Sequence, residues 1–218
     1  SDLRNSCEVV ADSRRVDHID RYDPYRHRAS GPNNKEIGRM SDKQARAIPK
    51  AMAVGLSFSL VAILFGFVLG GVFGSAESSI KKCLDDAGIA VLESVYEGDV
   101  AAKDAVVQKS WAYLKRAHLH GGAIGAAALG CIVALIVVCR RGMLAQLSAL
   151  AIGSGALIYA VFWLLAGFAA PGMGSTGAAK ESLSYMAIPG AGLCILGLCG
   201  TLYSVVKECF YSEMVTDE

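Results

Sequence analysis

An uncharged stretch at residues 51–76 constrains this chain more than any other feature. About 20 consecutive apolar residues cross the hydrocarbon core of a bilayer as an α-helix. Within the stretch, Gly66, Gly70 and Gly74 recur at intervals of four and therefore share one helix face. Small residues on such a face allow two helix backbones to touch inside a membrane. The sequence therefore predicts a membrane-spanning helix that packs closely on another helix.

Three further stretches without charged residues follow the first. The chain is 53% hydrophobic and has 24 glycines, a composition typical of membrane proteins. Pro171 and Gly172 interrupt the longest of the three stretches, so its helix should end close to them. We predict an all-α membrane protein, a four-transmembrane-helix bundle, with spans at residues 51–74, 121–139, 143–170 and 183–206.

Residues 75–120 are too long for a turn and carry apolar residues at helical spacing, among them Ile80, Leu84 and Val91. Lys81, Lys82, Asp85 and Asp86 occupy the other side of the first helix. Asp99 follows Gly98 and can cap a second helix. We predict an extramembrane helical hairpin between the first two spans. Trp111 and Tyr113 at its base predict an interfacial aromatic belt. Tyr159, Phe162 and Trp163 mark the approach of the third span to the same interface.

The two termini differ in character from the spans. Residues 1–40 contain proline, glycine and mixed charges without an apolar period, which predicts an extended N-terminal arm. Residues 41–50 begin with the spacing of a capping box, which predicts a short interfacial helix. Residues 207–218 form a C-terminal tail. The arm's charges are too mixed in sign for nucleic-acid binding.

Basic residues beside the first span, with Arg140, Arg141 and Lys207, lie on one predicted side of the membrane. The positive-inside bias assigns that side to the cytoplasm or its organellar equivalent, so both termini should lie there. Lysines in the first loop oppose this orientation. We expect a bacterial inner membrane or an organellar membrane.

Histidines at the start of the second span are the main candidates for a cofactor site. Neutral imidazole binds haem iron, copper and zinc. His118 precedes Gly121 and Gly125 by three and seven residues, so a flat porphyrin could approach this face. Met186 or Met173 could be the second ligand, or a partner chain could supply it. His118 and His120 could share one metal ion only outside a helix, because positions two apart on a helix point about 200° apart.

More ordinary roles are open to the same residues. His118 could hydrogen-bond a loop or a lipid headgroup, and Lys115 and Arg116 could extend towards lipid phosphates. Lys180 and Glu181 fit an ordinary helix start, with a quinone headgroup or a partner as the alternative.

The predicted spans contain no Asp, Glu, Lys or Arg, which disfavours a proton-coupled pump or transporter. We expect a non-catalytic accessory subunit of a multisubunit, energy-transducing membrane complex, in contact with other integral membrane subunits and the lipid bilayer. An electron-transfer subunit that binds haem b or copper through His118 is the first alternative. A small homo-oligomeric channel lined by serines of the first span is the second. Gly70→Leu should disrupt assembly, whereas Leu69→Ile, on the opposite face, should be mild.

Overall fold

The computed structural model describes residues 47–139 and 142–216, with side chains up to residue 210. The helices in these ranges are α1 (Lys50–Ile89), α2 (Leu92–Val95), α3 (Val100–Val138), α4 (Met143–Ala169), α5 (Thr176–Ser182) and α6 (Ser184–Thr216). Among the described residues, α1, α3, α4 and α6 are long and apolar enough to cross a membrane. For the described residues, the predicted all-α class and the four apolar helices are therefore confirmed. The predicted N-terminal arm and most of the helix at 41–50 lie outside the described residues.

Helices α1 and α3 are much longer than the spans predicted within them. They contain 40 and 39 residues, or about 60 Å each, which is twice the thickness of a bilayer core. Each of these helices thus continues from its predicted span into the adjoining half of the predicted hairpin. Only Ala76 in α1 leaves helical geometry, at φ −130° and ψ 25°. This kink lies where the uncharged stretch ends.

Polar contacts fix the charged extensions of α1 and α3 to each other. The Asp99 side chain accepts a hydrogen bond from the Ala102 backbone N–H, which is the predicted helix cap. Lys103 is buried, and its Nζ lies 2.5 Å from Asp85 Oδ1 and 3.0 Å from Asp104 Oδ1. Because Asp85 belongs to α1, this ion pair joins the two helices.

Helix α4 is the most buried of the four apolar helices in the described residues, and it packs on α1, α3 and α6. Half of its most apolar segment is buried, against 17% for α6. Its contact with α1 is made through Gly55 and Gly153. A Cβ on Gly55 would overlap the Ala149 carbonyl, and a Cβ on Gly153 would overlap the Gly55 carbonyl. The α1–α4 contact therefore requires both glycines.

Glycines also bring α6 onto α4. A Cβ on Gly155 would lie 2.7 Å from the Cys194 backbone nitrogen, and a Cβ on Gly197 would lie 2.6 Å from the Ile152 backbone nitrogen. At these distances an added methyl group would push the two helices apart. These α4 and α6 glycines are packing residues that were not predicted from the sequence.

The connections at one end of the bundle also touch each other. We call this the hairpin end, where α1 passes through α2 into α3. The Tyr96 hydroxyl donates a hydrogen bond of 2.7 Å to the carbonyl of Pro171, which is itself fully buried. Gly174, at φ +68°, packs directly against Val95. The α1–α3 connection is therefore attached to the α4–α5 connection.

Candidate functional site

Three of the five glycines singled out in the sequence meet in the contact between α1 and α3. A Cβ on Gly66 would lie 2.5 Å from the Gly122 nitrogen, and one on Gly121 would lie 2.9 Å from the Ala62 carbonyl oxygen. A Cβ on Gly125 would lie 3.0 Å from the Ile63 side chain. This part of the glycine stripe is occupied within the chain itself.

The remaining two glycines of α1 have different surroundings. A Cβ on Gly70 would lie 2.7 Å from Cε1 of His118, so this glycine makes room for an imidazole ring. A Cβ on Gly74 would meet no heavy atom of the described residues within 4 Å, and the same holds for Gly71. The stripe thus divides into a packed part and an open part.

His118 of α3 lies against α1. Its Nδ1 is 2.7 Å from the carbonyl oxygen of Gly66, and its ring meets Phe73 edge-on at 6.3 Å between centroids. A carbonyl can only accept, so Nδ1 carries the hydrogen in this contact. In the neutral ring, Nε2 is then the nitrogen with a free lone pair.

The glycine face that we expected to admit a porphyrin is filled by α1. Gly121 faces the backbone of Ala62 and Gly66, and Gly125 faces Ile63. In the described part of the chain there is no group of three or more His, Cys, Asp or Glu side chains that could hold a metal ion. Nε2 of His118 remains the one feature of this site suited to ligation.

The other proposed ligands are not brought to His118. His120 stacks on Tyr159 of α4, with centroids 5.3 Å apart, and meets Trp163 edge-on at 6.0 Å. Met186 packs into the apolar cluster around Trp163. His118 therefore turns to α1, whereas His120 turns to α4, as expected for residues two apart on a helix.

The serines considered for a pore use their hydroxyls inside α1. The Ser57 hydroxyl donates to the Ala53 carbonyl at 2.9 Å, and the Ser59 hydroxyl donates to the Gly55 carbonyl at 3.1 Å. Ser59 is fully buried. These contacts give no support to a channel lined by this helix.

Several aromatic rings contact one another at the hairpin end. We call it the aromatic cluster and define it as Tyr113, Tyr159, Phe162 and Trp163. Tyr113 and Trp163 meet edge-on at 4.9 Å, joining α3 to α4. Tyr159 and Phe162 stack at 6.0 Å. The predicted belt residues are thus in contact across two helices.

Two cations lie over this cluster. The Arg116 guanidinium is 5.0 Å from the Trp163 ring centre and 5.3 Å from that of Tyr113. The Lys180 ammonium is 5.9 Å from the Tyr113 ring centre. Attraction to the ring faces positions both cations. Among the described residues neither forms an ion pair with a carboxylate.

A groove of about 580 Å³ lies beside the aromatic cluster, between α4 and the start of α6. It is lined by Tyr159, Phe162, Trp163, Gly177, Lys180, Glu181, Ala187, Ile188 and Ala191. Trp163 is only 9% exposed, and its Nε1 has no hydrogen-bond partner among the described residues. An indole N–H in such a place normally finds an acceptor.

Cations, aromatic faces and an indole donor are groups suited to binding rather than to bond-breaking chemistry. The groove is formed by residues that lie far apart in the sequence. Its aromatic rings, which the sequence predicts as part of an interfacial belt, are the one signal that could have indicated this site. In comparisons with known proteins, no family model matches the chain, and no curated protein or solved structure was found to match it.

Proposed function

We propose that this chain is a non-catalytic accessory subunit that packs against other integral subunits of a membrane complex. The observation that carries the proposal is a face of α1 that the other described residues leave uncovered. We call it the open face and define it as Leu60, Leu64, Phe67, Gly71 and Gly74, which recur at helical spacing and are all exposed.

The composition of the open face is better suited to contact with another helix than to contact with lipid. Phe67 is 73% exposed, while a Cβ on Gly71 or Gly74 would meet nothing within 4 Å. Glycine in a helix interior costs about 1 kcal/mol relative to alanine. Lipid contact gives no compensation for that cost, whereas a second helix gains close backbone contact. The pairing of large residues with open glycines therefore supports a partner helix at this face.

Recovery of the chain from native membranes tests this proposal. Extraction in a mild detergent, followed by native mass spectrometry, should yield a heteromeric complex. A symmetric ring of this chain alone would instead indicate the channel, and a lone monomer would contradict both readings. We propose that the complex is energy-transducing and lies in a bacterial inner or organellar membrane, and identification of the partners tests both points.

A leucine at Gly74 tests the open face itself. Gly74→Leu should leave the monomer intact, because the position has open space, and should remove the partner subunits. Gly192→Leu in α6 is the matched control, since a Cβ there also meets nothing within 4 Å. Equal partner recovery from the two variants would show that the open face contacts lipid.

Cysteine labelling tests the proposed orientation. Cys83 in the charged extension of α1 and Cys209 in the last turns of α6 are both exposed. Two variants are compared, one that keeps only Cys83 and one that keeps only Cys209. If both termini are on the cytoplasmic side, a membrane-impermeant maleimide added outside should label the Cys83 variant but not the Cys209 variant. The reverse pattern would overturn the orientation.

The electron-transfer alternative retains one specific observation in its favour. The bond from His118 Nδ1 to the Gly66 carbonyl directs a neutral ring to use Nε2, and backbone-oriented imidazoles of this kind are common metal ligands. A Soret band in the purified protein that disappears in His118→Ala would select this function. A wild-type spectrum without the band, together with no bound metal, would eliminate it.

A further inference from the structure

We infer that the groove between α4 and α6 holds one anionic phospholipid of the surrounding bilayer. The headgroup would lie at Arg116 and Lys180, and an acyl chain would lie along the wall formed by Phe162, Ile188 and Ala191. This site does not depend on the proposed accessory function, because every group that forms it belongs to this chain.

Charge at the hairpin end favours an anion. Lys180 lines the groove, and the Arg116 guanidinium lies 5.0 Å from the ring centre of Trp163, which also lines it. Glu181 is the acidic residue that lines the groove. Two cations against one carboxylate leave a net positive charge, and a phosphodiester would compensate it.

The lining of the groove favours a molecule with an acyl chain over a soluble anion. Beyond Lys180 and Glu181 the wall is made of aromatic rings and the small or branched apolar side chains of Ala187, Ile188 and Ala191. Ile188 is 73% exposed beside it, so the groove continues into surface that faces lipid in a membrane-spanning helix. A polar end next to an apolar channel matches the two parts of a phospholipid.

The unpartnered indole provides independent support. Trp163 lines the groove, and its buried Nε1–H lacks an acceptor among the described residues. Buried donors in native structures are nearly always satisfied. Because Nε1 is buried, an ester or phosphate oxygen of a lipid would reach it only after the indole turned towards the groove, whereas a hydrocarbon chain would leave it unsatisfied in any position.

Tryptophan fluorescence gives a direct test, because the chain has two tryptophans. In a Trp111→Phe background, Trp163 is the remaining fluorophore. The protein is placed in nanodiscs that contain phosphatidylcholine and a small fraction of phospholipid with brominated acyl chains. Brominated phosphatidylglycerol should quench Trp163 more strongly than brominated phosphatidylcholine does at the same fraction. In the complementary Trp163→Phe protein, Trp111 should be quenched equally by both.

Removal of the cations tests the headgroup contact. Arg116→Gln combined with Lys180→Gln should lower the selectivity for phosphatidylglycerol by about fivefold for each cation lost. The matched control is Lys109→Gln combined with Lys115→Gln, which makes the same change in charge at exposed residues outside the cluster. The control should keep the selectivity of the parent protein.

A soluble competitor separates a lipid site from a phosphate site. Excess glycerophosphoglycerol, the headgroup without acyl chains, should leave the quenching unchanged. The inference is overturned by equal quenching of Trp163 by the two lipids, by an equal loss in the control variant, or by displacement with the soluble headgroup.

Discussion

His118 donates a 2.7 Å hydrogen bond from Nδ1 to the backbone carbonyl of Gly66, one turn before Gly70. The ring reaches that carbonyl across the position where a Gly70 side chain would stand, since a Cβ there would lie 2.7 Å from Cε1. Gly66 therefore supplies the acceptor, and Gly70 supplies the space. The two glycines and the histidine form one interlocking contact between α1 and α3.

We predict that His118→Leu destabilises the bundle. Interhelical hydrogen bonds in membrane proteins contribute about 0.6 kcal/mol on average and at most about 1.7 kcal/mol, so the loss should fall in that range. Unfolding in mixed micelles by SDS titration measures it. Leu119→Ala, at a position that is 58% exposed, should change the free energy of unfolding much less. An equal effect of the two changes would show that the His118 bond does not join the helices.

Gly66→Ala and Gly74→Ala should have opposite effects on stability. The first places a methyl group 2.5 Å from the Gly122 backbone and should cost about 1–3 kcal/mol, as overpacking does. The second meets open space and should be neutral or stabilising by up to about 1 kcal/mol. The same SDS titration compares them. Equal destabilisation would contradict the division of the glycine stripe.

Gly70→Leu remains a prediction, but Leu69→Ile is not a suitable control for it. Leu69 is half-buried and packs against the apolar clusters that contain Trp163 and Phe73, so it is not on a free opposite face. Val68, which is 55% exposed, replaces it. Gly70→Leu should lower the amount of folded protein by displacing His118, and Val68→Ile should preserve it. Size-exclusion chromatography of fluorescently tagged proteins measures both.

Gly153→Ala should be among the most damaging small substitutions in the chain. A methyl group at Gly153 runs into the Gly55 carbonyl, and neither backbone can shift without moving a whole helix. We expect a loss of at least about 1–3 kcal/mol, which overpacking in rigid surroundings produces. Gly130→Ala in α3 is the control, because its Cβ would meet nothing within 4 Å. Comparable expression and melting temperature for both variants would contradict the α1–α4 contact.

The Lys103 contacts predict a stability that falls at high pH. Lys103 lies in the charged part of α3, and its hydrogen bonds to Asp85 and Asp104 raise its pKa above the ordinary 10.5. A folded-state pKa above the unfolded one gives stabilisation that is fully present below the unfolded value and is lost as pH rises through the folded value. The melting temperature should therefore drop above pH 10.5. Lys103→Met should flatten this dependence, whereas Lys109→Met should retain the wild-type profile.

The sequence allowed prediction of the helices but only part of their packing. The lengths of the uncharged stretches identified the four apolar helices of the described residues. The absence of charged residues from a stretch can be read directly from the local sequence. The α1–α3 glycines were visible because they follow a regular spacing. Gly55 and Gly153 were not, since each is a single glycine whose partner lies on another helix. The sequence predicted the rings of the aromatic cluster only as an interfacial belt. It did not predict the groove that these rings form with Lys180.

By itself, the sequence determined that the described residues form four apolar helices, because the lengths of uncharged segments depend only on residue order. The tertiary structure alone decided which glycine faces are filled, that His118 and His120 turn to different helices, and that Arg116 and Lys180 meet at one ring. These outcomes depend on the rotation and register of each helix against its neighbours. Such relations are set by contacts between residues far apart in the chain, which no local pattern encodes.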